Sequence, residues 1–382
     1  MITFSFKTKI RQLPIVNLIS MKKTRVQFPI LEKYIYANTA SAGLLSADLS
    51  LWRQQHDQAY LTGGSTMKTK AMQTEIPEIR KTVGNFFRCK TENVALVPNF
   101  SMGLNILLEG LGQDDKVLLL QNDYPSVNWP FEYRGFDVSY AKVDEHLEDH
   151  IYEQVKTKSI SVLALSLVQW VNGIQIDLDF LKALKSEFPQ LTIIADGTQF
   201  VGTSDFSFED SAIDVLGASS YKWLLGGYGN GFMLFKNTVK EHFSVKGMGF
   251  NSADTNASGK DDIRFAKHFE PGHLDTLNFG SLGFSLNYLD SLGKNDIDLY
   301  LNKLSKKAKQ EFANLRLLEE SVVNRKAHST IFNIKGDDKV FELLSKNQVI
   351  CSQRGSGIRL SFHFYNTEND IEEIVRILKT AI

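Results

Sequence analysis

Residues 219–232 read SSYKWLLGGYGNGF. A single lysine, Lys222, stands between Tyr221 and Trp223, with two hydroxyls before it and four glycines after it. At a strand end, a lysine can snorkel its ammonium into water. In this setting the alternative is desolvation, because aromatic neighbours exclude water and glycines let backbone come close. Burial lowers a lysine's pKa by up to about 3–5 units. The neutral amine so produced can attack a carbonyl carbon and form a Schiff base. The glycines do not spell GxGxxG, since Phe232 occupies the last place, so a dinucleotide fingerprint is excluded.

Outward from this stretch, apolar runs alternate with helical patterns. KVLLLQ (116–121), SISVLALSLVQW (159–170), LTIIAD (191–196), IDVLGASS (213–220) and GFMLF (231–235) read as buried strands. LDFLKALKSEF (178–188) reads as an amphipathic helix with Leu181, Leu184 and Phe188 on one face. Continuous apolar strands interleaved with helices predict an α/β fold with a mostly parallel sheet covered on both faces. Beyond residue 280 two long helices, over 281–292 and 297–322, precede STIFNIKG, DKVFELLSK, the strands QVICSQ and GIRLSFHFY, and a last helix. The expected organisation is an untargeted or non-native extension at 1–20, with Met21 as an alternative start. A segment at 21–60 packs near the small domain, a large domain covers 61–280, and a smaller α+β domain covers 281–382.

Composition narrows the function. The 43 Lys and Arg nearly balance 44 Asp and Glu, so charge gives no argument for nucleic acid or an anionic membrane, and neither is expected as partner. Two cysteines, Cys89 and Cys351, exclude a disulfide framework and a Cys-rich zinc site, and suit a reducing cytoplasm. No apolar run is long enough to span a bilayer. His146 and His150 in HLEDH are spaced like zinc ligands, but Leu147 stands where a metalloprotease carries glutamate, so no metal is expected.

Ligands of parallel sheets sit beyond the carboxyl ends of the strands. Asp196 ends such a strand in LTIIADGTQF. It reads either as an Asp-Gly turn or as a carboxylate that holds a proton on a cofactor ring nitrogen, with Gln199 in reach of the same ligand. Ser101 in VPNFSMGLN reads as a helix N-cap, worth about 1 kcal/mol, or as part of an anion site at a helix N-terminus. A phosphate there needs further donors, which Ser219 and Ser220 can supply.

These residues together resemble the class V aminotransferase family of fold type I pyridoxal-phosphate enzymes, from YIYANTASAGLLS (34–46) to the last helix. The family pattern, Asp-x-x-Gln or His followed by Ser-x-His-Lys and a glycine-rich strand, is matched by Asp196, Gln199, Ser219 and Lys222, with Tyr221 in place of histidine. The resemblance implies pyridoxal 5′-phosphate as cofactor, carried by Lys222 as a Schiff base. Asp196 would pair with the pyridinium nitrogen and Gln199 with the phenolic oxygen. Ser101, Met102 and Ser219 would hold the phosphate. In QNDYPSVNWPF Tyr124 would stack on the ring, and in SLVQWVNG Gln169 would approach the ring oxygen, with Trp170 and Asn172 as alternatives. GIRLSFHFYNTENDIEEI resembles the family's C-terminal signature and implies that Arg359 grips the substrate carboxylate bidentately, with Ser41 beside it. In EPGHLDTLNFGSL, Gly272 and His273 stand where the family has Gly-Thr at its subunit contact, and a homodimer is expected.

The implied activity is transamination of a small amino acid, with a 2-keto acid as acceptor. Epimerisation or β-elimination by the same cofactor is the alternative, and a non-catalytic cofactor-binding protein is a third reading. Cysteine desulfuration is disfavoured: Cys351 lies inside an apolar strand, and RGSGIR (354–359) leaves no room for a catalytic cysteine loop.

Overall fold

The computed structural model describes residues 24–381. The expected extension at 1–20 and the alternative start at Met21 lie outside the described residues.

Alternating apolar runs produce the main sheet. Its strands are β1 (Val94–Val97), β2 (Lys116–Leu120), β3 (Asp137–Ala141), β4 (Val162–Ser166), β5 (Thr192–Asp196), β6 (Val215–Ser219) and β7 (Gly231–Phe235). They lie in the order β1-β7-β6-β5-β4-β2-β3. Only β7 runs antiparallel to its neighbours. Every residue of β1, β4, β5, β6 and β7 is buried, because helices cover both faces. Side chains alternate between two cores: Leu163, Leu165, Ile193 and Ala195 enter one, and Val162, Ala164 and Ile194 enter the other. The α/β class expected from the apolar runs is the class found.

A second sheet forms from the C-terminal part. Ser352–Arg354, Gly357–Ser361 and Ile331–Lys335 pair antiparallel in that order. Phe312 of the helix Lys294–Asn314 packs on Phe332 of this sheet, with ring centroids 5.7 Å apart. The run QVICSQ is not one strand as expected. It divides at Cys351, because Val349–Ile350 bonds in parallel to Ile35–Tyr36 while Ser352–Arg354 bonds to Gly357–Ser361. Asn38 adds a parallel bridge to Ser361. The helix Thr276–Leu292 starts earlier than the 281–292 pattern indicated. Asp275 caps it, accepting from Asn278 N at 2.9 Å, and the helix runs through the 280/281 division.

A buried ion pair fixes the edge strand from which the first site helix departs. The Arg80 guanidinium forks onto the Glu270 carboxylate, with Nη2 2.6 Å from Oε2. Glu270 also accepts from the backbone N–H of Leu96 in β1 at 2.7 Å. Removing one partner of such a pair strands a charge in a water-free place. Arg80→Met is expected to lower the unfolding free energy by about 3 kcal/mol, read from urea denaturation curves; a loss within error would show that Lys267, 3.1 Å from Glu270, compensates fully.

Candidate active site

The carboxyl ends of β4, β5 and β6 converge on a cavity of about 480 Å³. Ser166, Asp196 and Ser219 are the last residues of these strands, and Ser166 pairs in register with Asp196. The cavity's far side is the N-terminus of the helix Phe100–Leu108, which follows β1. Asn99, not Ser101, caps this helix, accepting from Met102 N at 2.9 Å. Ser101 is displaced one position into the first turn because Phe100 already has helical geometry. Phe100 N–H donates to Ser219 Oγ at 3.0 Å, which ties the helix start to the end of β6.

The lysine loop leaves β6 and turns back at once. Lys222 is buried, with its Nζ 5.5 Å from the ring centres of both Tyr124 and Tyr221. The loop is held from several sides. Gly43 N–H donates to the Tyr221 carbonyl at 2.8 Å, and any Cβ on Gly43 would sit 2.0 Å from the Lys222 carbonyl oxygen. Glycine is therefore required by contact. Trp223 Nε1 donates to Gln199 Oε1 at 2.8 Å. His363 Nε2 donates to the Trp223 carbonyl at 2.9 Å. Leu225, buried, sits in the left-handed region at φ 57°, and Ser285 donates to its carbonyl at 2.9 Å. Such strain costs of order 1–3 kcal/mol and persists only where surrounding structure enforces it.

Electrostatics follow from burial. Burial pushes the Lys222 ammonium down to about 8, against the opposing pull of Asp196 and with help from Arg359 and Arg354. Burial pushes the Asp196 carboxyl up to about 6, although hydrogen bonds from Thr198 and the charge of Lys222 work in the other direction. Asp196 Oδ1 accepts from Thr198 N at 2.8 Å. Arg359 is brought down to about 10, first by burial and then by Arg354. Its Nη1 donates to the Trp170 carbonyl at 2.6 Å and its Nη2 to Ser41 Oγ at 3.2 Å, while Nε is buried without a partner.

Of the residues singled out in the sequence, Ser101, Met102, Tyr124, Asp196, Gln199, Ser219 and Lys222 line one cavity. Arg359 and Ser41 do not line it; they bond to each other, and Arg359 donates to the carbonyl of Trp170, which does. Gln199 is already engaged on two sides, since its Nε2 also donates to the Ala40 carbonyl at 3.0 Å. Gln169 is buried beneath the cavity beside Asp123, and its Nε2 lacks hydrogen-bond geometry to any acceptor. Three participants escaped the sequence reading. Thr198 bridges Asp196 to the Ser219 backbone (Ser219 N to Thr198 Oγ1, 3.1 Å). Asp123, its carboxyl raised by burial, accepts from Ser166 N and Tyr124 N at 2.8 and 2.7 Å. His363 clamps the lysine loop. Thr198 was visible within the Asp196–Gln199 spacing; Asp123 and His363 act through the backbone and leave no spacing signal.

A model of the class V aminotransferase family matches residues 38–374. The chain belongs to that family. It is 22% identical to an uncharacterized aminotransferase, YcbU, of Bacillus subtilis, over 92% of this chain and 95% of that protein. Its fold superposes on the cysteine desulfurase of Thermococcus onnurineus with a TM-score of 0.81 at 18% identity, covering 94% and 97% of the two chains. It superposes equally, at 0.81 and 16% identity over 92% and 98%, on a C-DES mutant with glycine covalently linked to its pyridoxal-phosphate cofactor. The cofactor of the family is pyridoxal 5′-phosphate. The donor set fits that group: one cavity collects a buried amine, a buried carboxylate and a helix N-terminus flanked by two serine hydroxyls. Among the described residues no cluster of side chains could hold a metal, and no helix is long and apolar enough to cross a membrane.

The position of Lys222 has a measurable consequence. Below its pKa the side chain is an ammonium and unreactive; above it the amine is free. In the cofactor-free protein, labelling of Lys222 by an amine-specific reagent is expected to rise through pH about 8, well below an ordinary lysine's roughly 10.4. Asp196→Asn removes the carboxylate that favours the ammonium and moves that midpoint lower. Peptide mass mapping of the labelled site checks both; a midpoint near 10 would refute the desolvated setting.

Proposed function

We propose that the chain is a pyridoxal-phosphate-dependent aminotransferase acting on a small amino acid. One observation carries the reading: a buried guanidinium, Arg359, has an unpartnered Nε and bonds only to neutral oxygens, next to a buried lysine of lowered proton affinity. A guanidinium so placed suits a carboxylate from outside the chain. Ser41 orients its Nη2. Pyridoxal phosphate, when bound, supplies an aldehyde for amine exchange and a ring that accepts the electron pair released at the substrate's Cα.

The chain's own groups then have distinct tasks in this reading. Arg359 would hold the substrate's acid group and so orient the substrate. Lys222 Nζ takes the Cα proton and returns it, a role suited to an amine titrating near neutrality. Asp196, kept beside the ring by Thr198, holds a proton on the ring nitrogen. Ser101, Ser219 and the helix start would receive the phosphate, where a helix N-terminus favours an anion by about 0.3–1 kcal/mol, although the Phe100 and Met102 N–H groups already donate to Ser219 Oγ and Asn99 Oδ1. Tyr124, lining the cavity beside Lys222, would help hold the ring. Tyr221 and Tyr228, stacked at 4.7 Å and 19°, line the cavity beside the amine.

Desulfuration is less well supported. Cys351 and Cys89 are both buried, and burial pushes each thiol up to about 12. Neither lines the cavity, and a thiol so protonated is a poor nucleophile.

A spectral screen separates the readings. The purified protein is expected to show a visible cofactor band that Lys222→Ala abolishes. Single amino acids should convert it to the amine form of the cofactor, and a keto acid should restore it. Racemised or cleaved substrate with unchanged cofactor would favour epimerase or lyase chemistry, and Cys351-dependent sulfide from cysteine would favour a desulfurase. Arg359→Leu is expected to lower kcat/KM about a hundredfold or more, chiefly through KM.

A further inference from the structure

A second arginine shares the face of the small sheet that carries Arg359. Ser352 lies directly opposite Arg359, and Arg354 lies opposite Gly357. Side chains alternate across a strand, so Ser352, Arg354 and Arg359 project from one face, with the two arginines diagonal neighbours roughly 7 Å apart. That face points at the site, because Arg359 bonds to Ser41 and Ser352 Oγ donates to Asn38 Oδ1 at 2.8 Å.

The hairpin tip that presents Arg354 is firmly built. Two residues, Gly355 and Ser356, make the turn, and Gly355 has φ 57°, the left-handed geometry that tight hairpins demand. The side chain of Asn333 crosses beneath the tip and donates Nδ2 to the Arg354 carbonyl at 2.8 Å. It fits only because position 357 is glycine; a Cβ there would lie 2.2 Å from Asn333 Oδ1. On its other side the tip abuts Val171, next to the Trp170 wall of the cavity.

The two cations lack internal counter-charge. Arg354 donates Nη1 to the carbonyl of its neighbour Gln353 at 2.8 Å. Arg359 donates to a carbonyl and a hydroxyl. Among the described residues no carboxylate forms an ion pair with either. Each raises the positive potential at the other, and Arg354's charge is also felt at Lys222. Two adjacent guanidiniums repel unless anions come from outside. On the same face lies Ser352, opposite Arg359 and bonded to Asn38, neutral groups able to bed a polar chain.

We propose that Arg354 is a specificity-determining residue that binds the distal carboxylate of a four- or five-carbon dicarboxylic amino acid whose α-carboxylate is held by Arg359. The assignment rests on the reading of Arg359 given above. It defines the substrate class as amino acids of the aspartate and glutamate type or their dicarboxylic keto acids. An apolar amino acid would leave Arg354 unpaired at the entrance.

The test uses the cofactor-loaded protein and unreactive acids. Succinate, glutarate and butyrate are titrated by calorimetry into the wild type, Arg354→Gln and Arg354→Lys. At least one dicarboxylate is expected to bind the wild type about tenfold more tightly than butyrate. That ratio should fall to about one in Arg354→Gln and be partly restored in Arg354→Lys. Turnover is read beside it: the ratio of kcat/KM for aspartate or glutamate over alanine should fall about tenfold in Arg354→Gln. Indifference of the wild type to the second carboxylate, or a preference that survives in Arg354→Gln, overturns the assignment. A dicarboxylate preference that depends on Arg354, with no amino acid turned over, would keep the anion site and refute the aminotransferase reading.

Discussion

The backbone from Tyr221 to Leu225 is where the chain's separate parts meet, and the rest of the site depends on its being held. The N-terminal segment reaches it through Gly43, the C-terminal part through His363 and the helix Thr276–Leu292 through Ser285, while Gln199, just after β5, accepts from the Trp223 indole. Each bond is worth on the order of 1 kcal/mol net. Together they offset a bulky residue in left-handed geometry and the burial of a lysine. Lys222 is thus positioned less by its own contacts than by hydrogen bonds to the carbonyls of Tyr221, Trp223 and Leu225. A change at Gly43 or His363 reaches the amine without touching it.

The same region gathers charge that the fold does not neutralise. Lys222, Asp196 and Arg359 are all buried, and none forms an ion pair with another residue in the described chain. Contrast Arg80 and Glu270, equally buried, which satisfy one another fully. Buried charge without a partner disfavours folding, so its concentration at the carboxyl ends of the strands is a functional signature. In the reading proposed above, the cofactor and the substrate acid would complete those groups.

Much of this was legible in the residues. Buried strands announce themselves as continuous apolar runs, so the sheet and the position of Asp196 at a strand end followed from pattern. The cofactor was implied by the resemblance of the Asp196, Gln199, Ser219 and Lys222 pattern to the family's. The N-cap reading of Ser101, one of the two it allowed, fails: Asn99 caps the helix Phe100–Leu108, and only backbone geometry chooses between two good caps. The split of QVICSQ at Cys351 was invisible, since strand partners are set by distant segments and the run itself is uniformly apolar. Asp123 and His363 went unnoticed for a related reason. Their work is done on backbone groups, which every residue possesses, so no residue type marks the recipient.

Tyr221, where the family usually has histidine, sharpens the division of labour. An imidazole there would add a second group titrating near neutrality beside the amine. The phenol does not: burial pushes it up to about 12, and it stays protonated. It stacks on Tyr228 and leaves the cavity with one carboxyl near 6 and one amine near 8 as its groups poised close to neutral pH. The carboxyl is tied down by Thr198 at the end of β5. The amine sits at the end of a flexible side chain between two aromatic faces. If protons move at a substrate carbon in this site, the amine is the group free to carry them, and a phenol in place of an imidazole adds no competing base near neutrality.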